Sequence, residues 1–580
     1  MNKLKGIGVS PGITIGPAYL VPKLHQYVSD HRLQPEEIAP EIQRLERALT
    51  ETRDDLEKIR SQTAQNSGTI EASIFNVHLL LLHDRELKKE IVRQIKEGAN
   101  AAWAVQTVVE QHLERLGKVN DAYLNERRYD LEDVGKRLLR NLLGIKGHFA
   151  DLKERVVLVA HNLTPSETAS LNRKLVSAFA TDVGGPTSHT AIMARALEIP
   201  AVVGLKEITG IARPGGTIIV DGQQGLVILD PDEDVLKEYT QRQTDLRKGQ
   251  RALSPLKDVI ACTRDKHRVI IGANIELPAE VSSVLAHGAD EIGLFRTEFL
   301  YLNREDLPSE EEQFRVYRHV VEKVKPCPVT IRTLDLGGDK FASALNMPEE
   351  LNPFLGWRAI RFCLSQPDIF KAQLRAILRA SAFGPVRIMY PLISDVEEIK
   401  TARIIMEEAM DELKQKNKKF MPSIPVGAMI EVPSAALTAG DISRYVEFFS
   451  IGTNDLVQYS LAVDRTNVRT AHLYNPVHPA ILKLIAEVVK AGRKTGIPVG
   501  LCGEMAANPA LAFLLIGMGV NELSMAPLAI PEVKQLILLI TLDEAVECAQ
   551  KIMNMDSASE INLVLKKKYA EIIKRRKKND

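Results

Sequence analysis

The stretch PVGAMIEVPSAALTAGDISRYVEFFSIGTND, residues 425–455, contains a short apolar strand, a helical stretch and a second apolar strand. Short apolar runs separated by helical patterns are typical of parallel strands joined by crossover helices. The same order recurs after Pro255, with eight predicted strands at 268–275, 289–296, 328–335, 386–391, 426–433, 447–455, 497–504 and 521–526. Eight such units predict a (β/α)8, or TIM, barrel over residues 256–580.

Polar or reactive side chains stand just past the ends of these predicted strands. They are Arg296, Arg332, Asp335, Glu431, Asn454, Asp455 and Cys502. Because the working residues of such barrels lie at the carboxyl ends of the strands, we expect this set to meet at one mouth. A barrel with a purely structural role gives no reason for polar groups at so many successive strand ends.

The residue types at this mouth indicate the ligand. Arginine presents a planar fork that suits phosphate and carboxylate oxygens, and Arg465 is expected to reach back from the loop beyond Asp455. Glu431 and Asp455, on adjacent strands, offer the hard oxygen ligands that Mg²⁺ prefers. The sequence therefore predicts a small anion with phosphate and carboxylate character, bound together with Mg²⁺.

Cys502 follows a strand that is flanked by glycine and faces the same mouth. A thiol with an ordinary pKa of about 8.5 is mostly protonated at neutral pH and can give a proton to a carbanion-like centre. An inert buried thiol and a covalent nucleophile are the alternatives. The sequence around Cys502 shows no base that would favour the nucleophile.

The N-terminal half has a different pattern. Residues 1–22 and 146–230 contain short strand-like runs, whereas residues 23–145 carry apolar residues at helical spacing in a charged background. We therefore predict an α/β domain from the two outer segments, with a helical bundle inserted between them. A charged helical linker at 231–255 is predicted to connect this domain to the barrel. The helical insert lacks a cluster of catalytic residue types, which favours a binding or structural role, and His78 within it is predicted to be a packed histidine.

The run TDVGGPTSHTAIMARALEIPAVVG, residues 181–204, places His189 at the start of a predicted helix. The exposed amides and the dipole at a helix N-terminus disfavour a protonated imidazole and favour an anion. This position suits a neutral imidazole that comes to carry a negatively charged group.

Composition excludes several classes of protein. The chain of 580 residues has 75 Lys and Arg against 75 Asp and Glu, which argues against a general binder of nucleic acid or membrane surfaces. It shows neither a signal-peptide core nor an apolar run long enough to span a bilayer, so we expect a cytoplasmic protein without membrane insertion. The five cysteines are scattered without CxxC spacing, which predicts neither a disulfide framework nor a zinc site.

Seven motifs in order carry a resemblance to a known family. They are GGPTSHTAIMARALEIPAVVG, EIGLFRTEFL, TIRTLDLGGDK, NPFLGWRAIR, MIEVPSA, FFSIGTNDLVQY and CGEMA. Together they closely resemble the phosphoenolpyruvate-protein phosphotransferases, Enzyme I of the bacterial sugar phosphotransferase system. The resemblance runs from Gly6 to the C-terminal region.

This resemblance implies a transfer from phosphoenolpyruvate to His189, with release of pyruvate, and then to a histidine of the phosphocarrier HPr. It implies that Cys502 protonates the enolate, that Glu431 and Asp455 bind Mg²⁺, and that the insert docks HPr. The implied phosphoenolpyruvate-binding residues are Arg296, Arg332, Asn454, Asp455 and Arg465. It further implies secondary roles for Arg358 and Thr168, a homodimer interface on the barrel, and a swivelling phosphohistidine domain.

Pro186 is a departure, because members of the family carry Arg just before the TSH motif. A guanidinium that helps to hold phosphate on this loop is therefore missing.

Three alternatives are less favoured. A phosphoenolpyruvate synthase or dikinase needs an ATP-binding domain, for which the chain has neither room nor a Walker-type loop. A nitrogen-type Enzyme I is expected to carry an additional N-terminal sensory domain. A non-catalytic phospho-signalling scaffold disagrees with the intact set of Arg, Glu, Asn, Asp and Cys residues.

Overall fold

The computed structural model describes residues 1–21, 27–66, 74–117, 122–145, 152, 154–164, 167, 175–185, 189–301, 306–337, 352–465, 467 and 469–579. The chain divides into two compact units, Met1–Gln250 and Arg251–Asp580.

The first unit is built on one eight-stranded sheet with the order β1-β8-β7-β3-β4-β5-β6-β2. The strands are β1 (Asn2–Lys5), β2 (Ile7–Ser10), β3 (Ile13–Leu20), β4 (Val156–Ala160), β5 (Val176–Thr181), β6 (Ala201–Val203), β7 (Thr217–Asp221) and β8 (Leu226–Leu229). Strands β3 to β6 run parallel to one another, and the remaining pairs are antiparallel. The N-terminal strands thus share a sheet with strands from beyond residue 155.

The centre of this sheet is apolar on both faces. Every residue of β4 is buried, and Val157, Leu158 and Phe179 are completely so. Continuous apolar strands of this kind are typical of parallel sheets covered on both faces. Two helices, α6 (His189–Ala196) and α7 (Ile208–Ile211), belong to this part of the chain.

The segment between β3 and β4 is helical, as its periodicity predicts. It contains α1 (Ile38–Asn66), α2 (Ile74–Leu82), α3 (Arg85–Lys96), α4 (Ala101–Gly117) and α5 (Ala122–Leu143). Leu45, Ile95 and Val105 are fully buried in its core. His78 is also fully buried, with Nε2 3.2 Å from Asp130 Oδ1, so the prediction of a packed histidine is confirmed.

The second unit contains a closed barrel of eight parallel strands, which confirms the predicted (β/α)8 architecture. They are β9 (Ile270–Ile275), β10 (Glu291–Phe295), β11 (Val329–Arg332), β12 (Val386–Tyr390), β13 (Val426–Ile430), β14 (Phe448–Ile451), β15 (Val499–Leu501) and β16 (Glu522–Met525). Strand β16 pairs with β9 and so closes the barrel. Each of the eight lies within a predicted strand segment.

Helices follow the strands on the outside of the barrel. After α8 (Glu233–Leu253), which crosses the division between the units, come α9 (Val281–His287), α10 (Glu310–Val324), α11 (Ala359–Ser365), α12 (Pro367–Ala380), α13 (Val396–Gln415), α14 (Pro433–Leu437), α15 (Ala439–Ile442), α16 (Thr453–Leu461), α17 (Pro479–Thr495), α18 (Pro509–Met518), α19 (Ile530–Leu539), α20 (Leu542–Met553) and α21 (Ala558–Asn579). Within the described ranges, no helix combines the length and the apolar character that a membrane span requires.

Candidate active site

The carboxyl ends of the barrel strands carry a buried cluster of three carboxylates. Glu431 follows β13, Asp455 lies in the first turn of α16 after β14, and Asp335 lies three residues past β11. Each offers an oxygen, and these oxygens lie within 4.8 Å of one another. The strand-end pattern includes Asp335, but its sequence position alone does not identify it as part of a carboxylate cluster.

Glu431 lies deepest in this cluster and is 2% exposed. Its Oε1 accepts a hydrogen bond from the Leu392 N–H at 2.7 Å, and a Cβ at Gly452 would lie only 2.7 Å from Oε2. Glycine at 452 therefore allows the chain leaving β14 to pass beside this carboxylate. Burial, together with the negative charges of Asp455 and Asp335, raises the pKa of Glu431 well above its ordinary value.

The cluster fits a small divalent cation. Hard carboxylate oxygens are the ligands that Mg²⁺ prefers, and a buried group of like charges is stabilised by a cation among them. Glu431 and Asp455 stand just past the carboxyl ends of β13 and β14, which are adjacent strands of the barrel.

Two arginines converge on Asp335. Arg332 Nη1 lies 2.9 Å from Asp335 Oδ2, and Arg358 Nη2 lies 2.6 Å from Asp335 Oδ1. Although burial alone would raise it, these two guanidinium groups hold the pKa of Asp335 below its ordinary value. Arg332 Nη2 also lies 2.7 Å from a carboxylate oxygen of Glu298, a residue that the strand-end pattern did not single out.

Arg332 and Arg296 retain unused hydrogen-bonding capacity. The Nε atoms of both are buried without a hydrogen-bond partner among the described residues. Arg296 extends from the end of β10, and its Nη1 pairs with Glu276. Because buried donors are rarely left unpaired in native proteins, these two groups indicate a missing acceptor at this mouth.

Asn454 and Arg465 meet through a third residue, Glu504. The Asn454 side-chain oxygen accepts a hydrogen bond from the Glu504 N–H at 3.0 Å, and Arg465 Nη1 lies 3.1 Å from Glu504 Oε1. Sequence reasoning did not select Glu504, although its place two residues after Cys502 at a strand end was a usable signal. Arg465 is therefore held at the mouth by an exposed carboxylate.

Cys502 lies inside the barrel mouth beneath this polar layer. Its thiol is packed with Leu294, Met389, Met429 and Phe448, and the residue is 5% exposed. Burial raises the pKa of the Cys502 thiol to about 11, so the sulfur is protonated at neutral pH. A buried, protonated thiol can donate a proton but is a poor nucleophile.

His189 belongs to the first unit and begins α6, as the sequence predicts. Strand β5 ends at Thr181, and the connection to this helix leaves the sheet beside His161, whose carbonyl accepts a hydrogen bond from Val183 N–H. The His189 side chain is not among the described parts of the chain. Pro186 and Thr168 also lie outside the described residues.

Family models cover most of the chain in three consecutive parts. They are described as "PEP-utilising enzyme, N-terminal" at residues 5–127, "PEP-utilising enzyme, mobile domain" at 152–225, and "PEP-utilising enzyme, PEP-binding domain" at 250–542. The last of these matches contains the carboxylate cluster and the arginines around it.

Several curated relatives match over nearly their full length, and all carry the name phosphoenolpyruvate-protein phosphotransferase. The Bacillus subtilis protein is 41% identical, over 98% of this chain and 100% of its own. The Listeria innocua protein is 42% identical over 98% and 100%, and that of Haemophilus influenzae is 40% identical over 97% and 98%. With this identity across whole chains, the protein belongs to the phosphoenolpyruvate-protein phosphotransferase family.

Proposed function

We propose that this enzyme transfers the phosphoryl group of phosphoenolpyruvate to His189 and then to a histidine of HPr. The observation that carries the proposal is the barrel mouth, where partly unpaired arginines surround a buried carboxylate cluster. Arginine forks suit the phosphate and carboxylate groups of this substrate, and the carboxylates suit its metal. Full-length identity to the named relatives favours this activity over that of a dikinase without its ATP domain.

We propose that Arg296, Arg332 and Arg465, with Asn454, hold phosphoenolpyruvate, and that Glu431 and Asp455 hold Mg²⁺. Asp455, next to Asn454, also faces the substrate. Mg²⁺ bound there would supply electrostatic stabilisation of the negative charge that develops on the enolate oxygen. Arg358 lies close enough to Asp335 and Asp455 to contribute to the same charge balance.

The first chemical step forms a bond between a neutral His189 nitrogen and phosphorus while the bond from phosphorus to the enolate oxygen breaks. Cys502 then gives its proton to the methylene carbon of the enolate, which yields pyruvate. The raised pKa of Cys502 supports this role, because it keeps the proton on sulfur until the carbanion-like carbon accepts it. Return of a proton from solvent restores the thiol.

We propose that separate domains of the chain carry different parts of the reaction. Residues 1–22 and 146–230 form the phosphohistidine domain, 23–145 the HPr-binding insert, 231–255 a linker and 256–580 the barrel. Strands from both outer segments meet in one sheet, which supports the discontinuous domain. We also propose a homodimer through the barrel and a cytoplasmic location, where phosphoenolpyruvate is produced.

The test is incubation of the full chain with phosphoenolpyruvate and Mg²⁺ but without ATP. We expect one equivalent of acid-labile phosphate on the protein together with pyruvate release, and transfer of the phosphate when HPr is added. His189→Ala should abolish both protein phosphorylation and pyruvate release, whereas the matched control His319→Ala, at an exposed histidine on the barrel helix α10, should abolish neither. A requirement for ATP, or phosphorylation of the His189→Ala variant, would refute the proposal.

A further inference from the structure

The three clustered carboxylates differ in what already surrounds them. Both oxygens of Asp335 are engaged by guanidinium groups, Oδ2 by Arg332 at 2.9 Å and Oδ1 by Arg358 at 2.6 Å. The Asp335 side chain is only 5% exposed, so these contacts are shielded from water. A carboxylate in this state has little capacity left for a metal ion.

Unlike Asp335, Glu431 and Asp455 do not have both carboxylate oxygens bound by guanidinium groups among the described residues. Among the described residues, Glu431 forms no ion pair, and it accepts a hydrogen bond from the Leu392 N–H. Arg358 Nη2 lies 3.7 Å from Asp455 Oδ2, beyond ordinary hydrogen-bond length, and no other arginine of the described ranges forms an ion pair with Asp455. These two carboxylates therefore keep oxygens free for a cation, whereas Asp335 does not.

Asp335 instead joins the two arginines to each other. Arg332 extends from the end of β11, and Arg358 itself pairs with Gly337 through an isolated antiparallel bridge. Each long side chain would lose considerable rotamer freedom on binding a ligand if it were not already fixed. A second carboxylate, Glu298, fixes the other end of the Arg332 guanidinium, while the Tyr459 hydroxyl lies 3.4 Å from Arg358 Nη1.

We propose that Asp335 is a positioning residue that aims Arg332 and Arg358 at the phosphate of phosphoenolpyruvate, and that it is not a ligand of the metal. The inference rests on the proposed function, since that function supplies the phosphate. By holding both guanidinium groups before the substrate arrives, Asp335 reduces the ordering that binding would otherwise require.

The experiment compares two ligands in a His189→Ala background, where phosphoenolpyruvate is not consumed. Phosphoenolpyruvate carries the phosphate, whereas oxalate is a planar dicarboxylate without one, and both are titrated by calorimetry in the presence of Mn²⁺. Asp335→Asn keeps the size and shape of the side chain but loses its charge. Glu431→Gln is the matched control for loss of a metal ligand.

We expect Asp335→Asn to weaken phosphoenolpyruvate binding by about tenfold or more, because both guanidinium groups lose their common anchor. Oxalate binding should change by less than about threefold, as for a residue that does not contact the ligand. Glu431→Gln should weaken the binding of both. In turnover on the His189-containing enzyme, Asp335→Asn should raise KM for phosphoenolpyruvate, and Asp335→Glu should restore part of the loss.

Equal loss of both ligands in Asp335→Asn, as in Glu431→Gln, would overturn the inference and make Asp335 a metal ligand. Unchanged binding of both ligands would overturn it as well. Failure of the proposed function itself is distinguishable, because the parent His189→Ala protein would then not bind phosphoenolpyruvate at all. Thermal unfolding of each variant shows whether it is folded under the titration conditions.

Discussion

The two ends of the barrel both bury arginine among carboxylates, but they do so differently. At the amino end, Arg387 Nη1 and Nη2 lie 3.2 Å from the two oxygens of Glu522, and its Nε donates to Thr330 Oγ1 at 2.8 Å. Arg387 also donates to Glu291, so all three of its nitrogens are used. At the carboxyl end, the Nε atoms of Arg332 and Arg296 have no hydrogen-bond partner in the described part of the chain, and three carboxylates lie together. Arg387 at the amino end thus uses all its nitrogens within the fold, whereas the two arginines at the carboxyl end keep donors that no described residue engages.

The largest expected effect is a difference in phosphorylation rate between a variant at the carboxyl end of the barrel and the same substitution at the amino end. Arg332→Lys keeps the charge but loses the planar fork, and we expect the rate of His189 phosphorylation to fall by about 10³-fold. The same change at the amino end, Arg387→Lys, should leave the rate per folded molecule close to that of the parent. Single-turnover phosphorylation with labelled phosphoenolpyruvate measures both, and a similar loss in the two variants would contradict the comparison.

The second prediction concerns stability, for which we expect the amino end of the barrel to be sensitive to substitution. Arg387→Met removes the guanidinium that contacts the buried Glu291 and Glu522, and we expect the free energy of unfolding to fall by about 3–5 kcal/mol. The urea-unfolding transition of the full chain measures this loss. Replacing all three residues together, with Glu291→Gln and Glu522→Gln added, should recover part of it. No recovery in the triple variant would argue against charge burial as the cause.

The third prediction concerns Cys502, beneath the carboxyl-end cluster. Cys502→Ala should lower pyruvate formation by about 10²-fold or more, the usual contribution of a positioned general acid. Its fold should remain, because the thiol packs in an apolar cluster that tolerates a smaller side chain at moderate cost. Pyruvate release and circular dichroism test the two parts separately. A fully active variant would rule out the thiol as the proton donor.

The smallest expected effect, counted per pH unit, is a pH dependence at the amino end. Burial, followed by the neighbouring Glu522, raises the pKa of Glu291 in the folded chain. An acid whose folded pKa is raised contributes stability below its unfolded pKa of about 4.3 and loses that contribution as pH rises through the folded pKa. Glu291→Gln cannot lose a proton, so its stability relative to the parent should increase with pH, by at most about 1.4 kcal/mol per pH unit. Urea midpoints at acidic and mildly alkaline pH measure the slope, and parallel lines would contradict it.

The sequence predicts the barrel well because its strands are apolar, short and separated by helical periodicity. Each observed strand, from β9 to β16, falls inside a predicted segment. The strand-end rule also selected Arg296, Arg332 and Glu431, since position in a parallel barrel fixes which end a residue occupies.

Pairing between distant segments could not be predicted in this way. Arg387 and Glu522 are 135 residues apart and look like ordinary strand residues in the sequence. The strand-end pattern includes Asp335, but its contact with Arg358, 23 residues further along the chain, cannot be predicted from that pattern. Glu504 and Glu298 were missed because their roles come from the arginines that they contact.

The sheet of the first unit has a consequence for synthesis of the chain on the ribosome. Strand β3 ends at Leu20 but pairs with β4, which begins at Val156, and with β7, which begins at Thr217. Its two neighbours therefore leave the ribosome long after it does. The helices between Ile38 and Leu143 depend mainly on local contacts and can fold in the meantime, because local contacts form faster than distant strand pairs. We expect the helical insert to fold before the sheet into which it is inserted, and β3 can complete both of its pairings only after residue 221 has emerged.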